Sequence, residues 1–404
     1  MGVYNILRFL LYGVIFIISI FKKKTREFFI KRLFQKIQNM EFKEEDTILV
    51  HMSSVGEFNL SQELIRKLML KGEKVIISIV TDTGYEAVKN IYGKNKNLKT
   101  IYFPLDDYFL LKKLFKEYNI KKTLIIETEI WPNLYRFAHK SGELFIINGR
   151  LTERKLKSYL KVKGFIRRIL NLAKKIMVQS EEDKERYEKI GVDKKKIAVY
   201  KNLKYSISYE KLDEEKKKKY FEHNLFKDRK RIVCGSTRPG EEKIWLEIFK
   251  EINENEEYQL IIVPRHLERI VEIKEEIEKV FEYKDKSYSM LSEGRITDIL
   301  IVDKIGVLRD FYQLADSVFV GGTLVDIGGH SILEPLYYGK LPIIGEYFQN
   351  IEEIVKDALK MGFVKIVKNK NEIIEYLKMC EVVNTGEFFE KNNEIGKIIE
   401  ELYN

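Results

Sequence analysis

Carboxylate side chains follow two short apolar runs in the first half of this 404-residue sequence. Glu57 lies just beyond the run Thr47–Met52, and an amphipathic helical pattern starts at about Leu60. A carboxylate in this place can act as a general base that removes a proton from a hydroxyl group. It can equally serve as an acid that the helix dipole favours at a helix start. Glu57 is therefore a candidate catalytic base with a structural alternative.

Glu127 and Glu129 form a second acidic group, directly after the apolar run Thr123–Ile126. Residues two apart in an extended chain point the same way, so both carboxylates would lie together at a strand end. Burial of two carboxylates in a core costs free energy unless they are hydrogen-bonded or take part in the function of the protein. Catalysis and the anchoring of loops are the two interpretations, and Pro132 predicts that a helix begins close by.

Small residues and cations follow two apolar runs in the second half of the chain. Ser236 and Thr237 stand between the run Arg231–Cys234 and a helical pattern. Free amides at such a junction can cradle a phosphate, although the same residues would also cap a helix. Arg265 and His266 end the next apolar run, where a guanidinium fork could bind phosphate or carboxylate at two points. Two such strand ends indicate an anion site.

A glycine-rich loop, Gly321–Pro335, gives the densest signal. Paired glycines end a strand and a second pair precedes a helix start near Ser331, so the backbone can closely approach a nucleotide phosphate. Glu334 could accept hydrogen bonds from ribose hydroxyls. The spacing is not GxGxxG, so a nicotinamide dinucleotide site is not indicated. The candidate ligand residues of this loop are Gly322, Gly329, His330, Ser331 and Glu334.

Short apolar runs alternate with longer helical patterns along the chain after Glu45. This alternation is typical of parallel sheets that are covered by helices on both faces. We predict an α/β protein of two doubly wound Rossmann-like domains that face a cleft, with ligands at the carboxyl ends of the strands. The predicted strands are Thr47–Met52, Val75–Val80, Thr100–Phe103, Thr123–Ile126, Leu144–Ile147, Lys175–Val178, Arg231–Cys234, Gln259–Val263, Ile299–Val302, Ser317–Val320, Leu341–Ile344 and Phe363–Val367.

A charged stretch from Lys201 to Arg231 predicts a linker between the two domains. The resulting boundaries are 1–24 for an N-terminal helix, 25–205 for the first domain and 206–384 for the second domain. Residues 385–404 form a last helical stretch that could return to the first domain.

Residues Val3–Phe21 are mostly apolar and are followed at once by Lys22–Lys24. At ~1.5 Å per residue the segment covers roughly 28 Å, close to the ~30 Å of a bilayer's hydrocarbon core. The lysines would hold the following chain on the cytoplasmic side. Because Arg8 interrupts the segment, both a spanning anchor and an amphipathic helix in the membrane interface fit it.

The composition limits the partners of the chain. Its 72 Lys and Arg outnumber 62 Asp and Glu, and the formal net charge of +10 favours anionic partners. RNA-recognition signatures and zinc-finger spacings are missing, so nucleic acid is not an expected partner. Cys234 and Cys380 are isolated, which disfavours a metal site or a disulfide framework and suits buried small side chains in a reducing cytoplasm.

Taken together, the motifs resemble those of the transferases that attach 3-deoxy-D-manno-octulosonic acid (Kdo) to lipid A precursor. The resemblance runs along most of the chain after the N-terminal helix, and the order and spacing of its segments are more specific than any one of them. The segments are Ser54–Glu57, Glu127–Asn133, Asn148–Thr152, Asn202–Tyr205, Val263–His266 and Gly321–Pro335.

This resemblance implies a glycosyltransferase B (GT-B) fold and inverting transfer of Kdo from CMP-Kdo to a lipid A precursor, lipid IVA, in lipopolysaccharide biosynthesis. It implies that the first domain binds the acceptor and the second binds the donor, without a metal or another cofactor. It also implies a place at the cytoplasmic face of the bacterial inner membrane.

The resemblance also assigns roles to residues. Glu57 would be the general base, with Glu127 and Glu129 beside the reaction centre. The implied acceptor-binding residues are Ser54, Gly56 and Arg150. The implied donor-binding residues are Ser236, Thr237, Arg265, His266, Gly322, Gly329, His330, Ser331 and Glu334. In this set Arg265 would hold the CMP phosphate or the Kdo carboxylate, and Glu334 would hold the ribose.

Three positions depart from the family's pattern. Arg238 stands where a histidine is common, Ser331 where an asparagine is common, and Ser206 where an acid often follows Lys-Tyr. Two other functions stay open: a GT-B-fold transferase or epimerase that uses another sugar nucleotide, and a non-catalytic nucleotide-binding membrane protein in which Glu57 only caps a helix.

Overall fold

The computed structural model describes residues 2–35, 45–281, 288–379 and 384–404. The chain divides into two compact units, Met1–Ser208 with Asn392–Asn404, and Tyr209–Lys391. Each unit is built on a parallel sheet whose successive strands are joined mostly by helices. The predicted α/β class with two doubly wound units is confirmed.

The first unit carries its candidate residues on one parallel sheet. Its strands are β1 Asp46–Met52, β2 Lys74–Ile79, β3 Leu98–Tyr102, β4 Asn119–Ile126, β5 Glu143–Gly149, β6 Lys175–Val178 and β7 Ile197–Val199. Within the described residues these seven strands have the order β3-β2-β1-β4-β5-β6-β7. The order reverses between β1 and β4, and the crevice outside the carboxyl ends of such neighbours is where doubly wound folds bind ligands.

Helices cover both faces of this sheet. They are α1 Gly2–Phe21, α2 Lys23–Leu33, α3 Val55–Leu70, α4 Asp82–Tyr92, α5 Tyr108–Glu117, α6 Pro132–Ser141, α7 Glu153–Leu160, α8 Lys163–Leu170 and α9 Glu181–Ile190. Several begin at side-chain caps, namely Ser54, Thr81, Asp107, Thr152 and Ser180. These residues accept hydrogen bonds from backbone N–H groups that the helix leaves unpaired.

The second unit repeats the arrangement. Its strands are β8 Lys230–Thr237, β9 Tyr258–Pro264, β10 Tyr288–Met290, β11 Ile299–Ile301, β12 Ser317–Val320, β13 Pro342–Ile344 and β14 Lys365–Ile366. Among the residues described, the strand order is β10-β11-β9-β8-β12-β13-β14, so the reversal falls between β8 and β12. Cys234 on β8 is fully buried as predicted, whereas Cys380 lies outside the described residues.

The helices of the second unit follow its strands. They are α10 Glu214–His223, α11 Glu241–Ile252, α12 Ile270–Val280, α13 Leu308–Leu314, α14 Leu333–Tyr337, α15 Glu352–Lys360, α16 Lys370–Met379 and α17 Gly386–Asn392. A glycine is required where β8 and β12 end, because a Cβ at Gly321 would lie 2.4 Å from the backbone oxygen of Ser236. The two loops of the candidate donor site therefore touch through their backbones.

Three sequence expectations need correction. Helix α3 begins at Val55 rather than near Leu60, so Glu57 lies in its first turn. The charged stretch 201–231 is not simply a linker, because α10 lies within it and Tyr220 of this helix donates a hydrogen bond to Asp310 in the second unit. The short strands β7 and β10 were not predicted, since three residues carry too little periodicity to be recognised.

The chain returns to the first unit at its carboxyl end. Helix α18, Ile395–Glu401, buries Ile395, Ile398 and Ile399 in the same apolar cluster as Ile48 of β1. The last helical stretch of the sequence is thus two helices, of which α17 belongs mainly to the second unit and α18 to the first.

Truncation of Ile398 to alanine tests this return. Ile398 is 2% exposed, so Ile398→Ala should lower the free energy of unfolding of the first unit by ~2 to 5 kcal/mol. The measurement is urea unfolding followed by Trp131 emission in a Trp245→Phe background. Lys397→Ala, on the exposed face of α18, should cost less than ~1 kcal/mol. Equal effects of both substitutions would contradict the packing described.

Candidate active site

Glu57 is held at the carboxyl end of β1 by the turn that starts α3. Its carboxylate accepts hydrogen bonds from the Ser53 backbone N–H at 2.6 Å and the Ser53 hydroxyl at 2.5 Å. In return, the Ser54 hydroxyl accepts from the backbone N–H of Glu57 at 3.4 Å. This arrangement differs from a capping box in one bond, because the carboxylate binds the N–H of Ser53 rather than that of the cap residue Ser54, and it leaves Glu57 8% exposed. The structural role foreseen for Glu57 is therefore present, and it fixes the direction of the carboxylate.

Glu127 and Glu129 follow β4, the neighbour of β1. The chain does not stay extended here as expected, because Glu127 adopts a φ of 59°. Between them the Thr128 hydroxyl donates to the backbone oxygen of Arg150 at 2.6 Å and accepts from the Arg150 N–H at 3.0 Å. The side chain of Thr128 thus ties the acidic loop to the loop after β5. The indole N–H of Trp131 donates to Glu129 at 3.1 Å.

The charge of Glu57 acts on the two carboxylates that follow β4. Burial, followed by the charge of Glu57, raises the pKa of both Glu127 and Glu129 above the usual range. The positive charge of Lys155 acts to lower the pKa of both groups, and the charge of Arg150 acts to lower that of Glu127. The structure therefore brings Glu57, Glu127 and Glu129 together in one acidic cluster at the point where the strand order reverses.

The predicted acceptor residues have different environments. Ser54 caps α3, and Gly56 is exposed in the first turn. The positive charge of the exposed Arg150 opposes the upward shift in the pKa of Glu127. Lys155 was missed by sequence analysis. Its place one turn after the cap Thr152, just beyond the segment Asn148–Thr152 that carried the family resemblance, could have revealed it.

Glu241 organises the glycine loop of the second unit. This fully buried carboxylate accepts hydrogen bonds from the backbone N–H groups of Gly322, Thr323 and Leu324 at 2.8 to 3.0 Å. It also accepts from the N–H of Arg238 at 2.9 Å. One side chain therefore holds the loop after β12 against the loop after β8. The glycine pattern suggested that the amides of residues 322–324 are free to bind a phosphate. In the structure they donate their hydrogen bonds to Glu241 instead.

Cationic side chains lie beside this pinned loop. The guanidinium of Arg238 donates to His330 at 3.2 Å and lies 2.9 Å from the ring nitrogen of His266. Burial, followed by the charges of Arg238 and Arg265, lowers the pKa of His330 to about 4. His330 is therefore neutral at pH 7 and can accept the Arg238 hydrogen bond. The positive charge of the cluster comes from Arg238 and Arg265.

The loops after β8 and β9 enclose a cavity of about 260 Å³ lined in part by Ser236, Arg265, His266 and Lys304. Next to it, the buried hydroxyl of Thr237 has no hydrogen-bond partner among the described residues. Ser236 adopts a φ of 57°, so this predicted phosphate loop turns sharply. The cationic side chains that line the cavity suit an anionic ligand.

The remaining predicted donor residues divide into two groups. Gly322 and Gly329 have φ values of 75° and 82°, and the N–H of Gly329 donates to the Gly322 oxygen at 2.7 Å, closing the loop on itself. Ser331 is exposed, and its hydroxyl accepts from the N–H of Leu333. Glu334 lies 4.0 Å from the guanidinium of Arg309, and burial raises the pKa of its carboxyl.

Comparison with known proteins gives this geometry a context. Residues 28–207 match the family model of the 3-deoxy-D-manno-octulosonic-acid transferases. The 3-deoxy-D-manno-octulosonic acid transferase of Chlamydophila psittaci is 31% identical over 321 residues, which cover 77% of this chain and 72% of that protein. The chain belongs to the Kdo transferase family. The predicted resemblance is confirmed, and this member is a glycosyltransferase by family.

Two further comparisons qualify the assignment. A protein of Fusobacterium nucleatum named bifunctional glycosyltransferase/methyltransferase is 40% identical over 387 residues, which cover 93% of this chain. The chain spans 59% of that relative's length. The solved UDP-GlcNAc 2-epimerase of Neisseria meningitidis has a TM-score of 0.57 at 16% identity and covers 89% of this chain and 100% of its own. At that identity the likeness shows the two-unit fold alone.

Removal of the Lys155 charge tests the acidic cluster of this Kdo transferase. Lys155→Met should raise the pKa of Glu127 and of Glu129 further, because each carboxylate loses a cation that favours its charged form. The measurement is a titration of carboxyl chemical shifts in protein with isotopically labelled glutamate. Lys157→Met, on the same helix α7, is the control and should leave both pKa values unchanged. A shift of the same size in both variants would contradict a specific role of Lys155.

Replacement of Glu241 tests the pinned loop. Glu241→Gln presents an amide to four backbone N–H groups, so the second unit should lose ~1 to 3 kcal/mol of unfolding free energy. Urea unfolding followed by Trp245 emission in a Trp131→Phe background would measure the loss. The exposed Glu254→Gln is the matched control and should change the free energy by less than ~0.5 kcal/mol. An unchanged stability in Glu241→Gln would mean that the four hydrogen bonds do not hold the loop.

Proposed function

We propose that this Kdo transferase moves Kdo from CMP-Kdo to a lipid A precursor, lipid IVA, with inversion and with Glu57 as the general base. The observation that carries the proposal is the fixed Glu57 carboxylate, set beside two further carboxylates where the strand order reverses, in a chain of this family. A base must point reliably at the hydroxyl whose proton it removes, and the two hydrogen bonds from Ser53 supply that orientation.

The proposed reaction has balanced steps. An acceptor hydroxyl oxygen attacks the anomeric carbon of Kdo while the bond from that carbon to the CMP phosphate oxygen breaks. The hydroxyl proton goes to Glu57, and the electron pair of the broken bond leaves with CMP. Because positive charge develops on the sugar ring, the carboxylates of Glu127 and Glu129 are suited to stabilise it when they are ionised.

Binding of the nucleotide is assigned to the second unit. Arg238 and Arg265 carry positive charge at the loop ends of β8 and β9, and the unused Thr237 hydroxyl supplies a donor. These groups would stabilise the negative charge that grows on the departing phosphate. We assign Glu334 to the ribose hydroxyls, as the family resemblance implies. No metal or other cofactor enters the proposed steps.

Membrane attachment would bring the enzyme to a lipid acceptor at the cytoplasmic face of the inner membrane. By length and composition α1 could cross a membrane, a test that signal sequences also pass. One face of α1 is nevertheless engaged with the first unit, since Tyr4 donates to Asp106, Arg8 to Asp107 and Tyr12 to the Leu105 oxygen. These contacts favour a helix that lies in the membrane interface, and Lys22–Lys24 follow it as partners for anionic head groups.

An epimerase of the same fold is the second candidate. Its support is the likeness of fold to the UDP-GlcNAc 2-epimerase, which concerns architecture and not the site. An epimerase needs no lipid acceptor and would release a changed sugar nucleotide. Product analysis separates the two reactions, because only transfer adds the mass of Kdo to a lipid.

Substitution of Glu57 tests the proposed reaction. With CMP-Kdo generated in situ and tetraacylated lipid A precursor, wild type should yield a product heavier by one or more Kdo units. Glu57→Gln keeps the shape of the side chain but cannot take the proton, so kcat should fall by ~10² to 10⁴-fold. Mass spectrometry of the lipid product is the measurement.

The structural role of Glu57 needs its own control, since its carboxylate also accepts hydrogen bonds from Ser53 at the start of α3. Thr81→Ala removes the cap of the neighbouring helix α4, at a cost of ~1 kcal/mol in stability, and should leave kcat within ~2-fold. If Thr81→Ala lost as much activity as Glu57→Gln, capping rather than proton transfer would explain the loss. If folded wild type gave no mass gain, the donor or the acceptor would differ from the one proposed.

A further inference from the structure

An apolar cavity of about 370 Å³ lies within the first unit, next to the acidic cluster. Its walls come from α1, α2 and the loop after β3, and its lining residues include Leu7, Leu11, Ile15 and Phe29. Trp131 forms another part of the wall, and the indole N–H of Trp131 donates to Glu129. The cavity is therefore one side chain away from the proposed reaction centre, and its size lies at the lower end of the range for small-molecule sites.

One charged side chain lines this apolar space. Arg8 is 9% exposed, and its Nη2 pairs with Asp107 at 3.0 Å. Its Nε and Nη1 are buried and have no hydrogen-bond partner among the described residues. Buried guanidinium donors without partners are costly, so this pattern indicates that a ligand oxygen completes the hydrogen bonds of Arg8.

The outer surface of α1 leads directly to this cavity. Leu7 and Leu11 line the cavity and are also exposed, so they join its apolar wall to the apolar surface of the helix. Other exposed apolar side chains of the same helix include Val3, Ile6, Phe9, Leu10, Phe16 and Phe21. A hydrocarbon chain could pass from a membrane along this surface into the cavity without crossing water.

We propose that this cavity binds one acyl chain of an anionic amphiphile, with an oxygen of the ligand's polar group accepting hydrogen bonds from Arg8. Insofar as the amphiphile is the sugar acceptor, the inference rests on the proposed function. Bound in this way, the acyl chain would position the polar part of the acceptor close to Trp131 and Glu129. Selection of acylated acceptors would then depend on α1.

A single-tryptophan protein can test the cavity without any enzymatic activity. The chain has two tryptophans, and Trp245 is fully buried in the core of the second unit. In a full-length Trp245→Phe variant, Trp131 reports on the cavity. Dibromostearic acid below its micelle concentration should quench Trp131 in a saturable manner, because bromine quenches indole only at short range. In the reverse variant, Trp131→Phe, the buried Trp245 should not be quenched. Absence of saturable quenching of Trp131 would overturn the proposal.

Two substitutions on α1 separate the cavity from general membrane affinity. Leu7 is 60% exposed and lines the cavity, whereas Leu10 is 61% exposed and does not. Leu7→Asp should raise the half-quenching concentration by at least ~10-fold, because it places a charge beside an apolar chain. Leu10→Asp should change it by less than ~2-fold. Equal effects would show that the acid only adsorbs to the apolar surface of α1.

Arg8 is tested with the conservative variant Arg8→Lys. A lysine can keep the ion pair with Asp107 but lacks the guanidinium fork. The variant should weaken quenching by dibromostearic acid and leave quenching by a dibrominated alkane unchanged. Equal weakening of quenching by both probes would contradict the proposed hydrogen bonds between Arg8 and the polar group of the ligand.

Transfer assays distinguish this inference from the proposed function. Leu7→Asp should lower kcat/KM for the acylated acceptor and leave kcat/KM for its deacylated form unchanged. Saturable quenching without any Kdo transfer would support the cavity and refute the proposed function. Kdo transfer without saturable quenching would support the proposed function and refute the binding of an acyl chain in the cavity.

Discussion

Buried carboxylates that accept hydrogen bonds from backbone N–H groups hold the loops on which both candidate sites depend. Glu57 binds the N–H of Ser53, Asp183 binds that of Leu151, and Glu241 binds the glycine loop. Parallel sheets leave long loops at the carboxyl ends of their strands, and those loops have few backbone partners of their own. An acidic side chain from the first turn of a helix supplies these partners and selects one loop conformation.

Asp106 shows the same principle at the contact between α1 and the first unit. Its carboxylate accepts from the N–H groups of Asn133 and Leu134 at the start of α6 and from the hydroxyl of Tyr4. Burial raises the pKa of this carboxyl to about 6. Helix α1 and the helix that follows the acidic loop therefore share one carboxylate.

Much of the fold follows from the sequence because parallel strands are buried on both faces and appear as uninterrupted apolar runs. Runs such as Val75–Val80 were recognisable for that reason, and the candidate residues followed from their places at strand ends. The start of α3 at Val55 was missed because its first turn contains Gly56, a residue type that disfavours helices. The pinning role of Glu241 was invisible as well, since its partners lie 81 to 83 residues further along the chain. Arg238 was noted as a departure from the family pattern, and only the structure shows it between two histidines.

Helix α18 has a consequence for the order in which the chain can fold. The apolar cluster that it completes also contains residues of β1 and α3, which leave the ribosome some three hundred residues earlier. The second unit is synthesised entirely between these two parts of the first unit. Domains usually fold as they emerge. Here part of the core of the first unit stays uncovered until the second unit has been made and α18 has followed it. The unit whose synthesis begins first is thus the last to be completed.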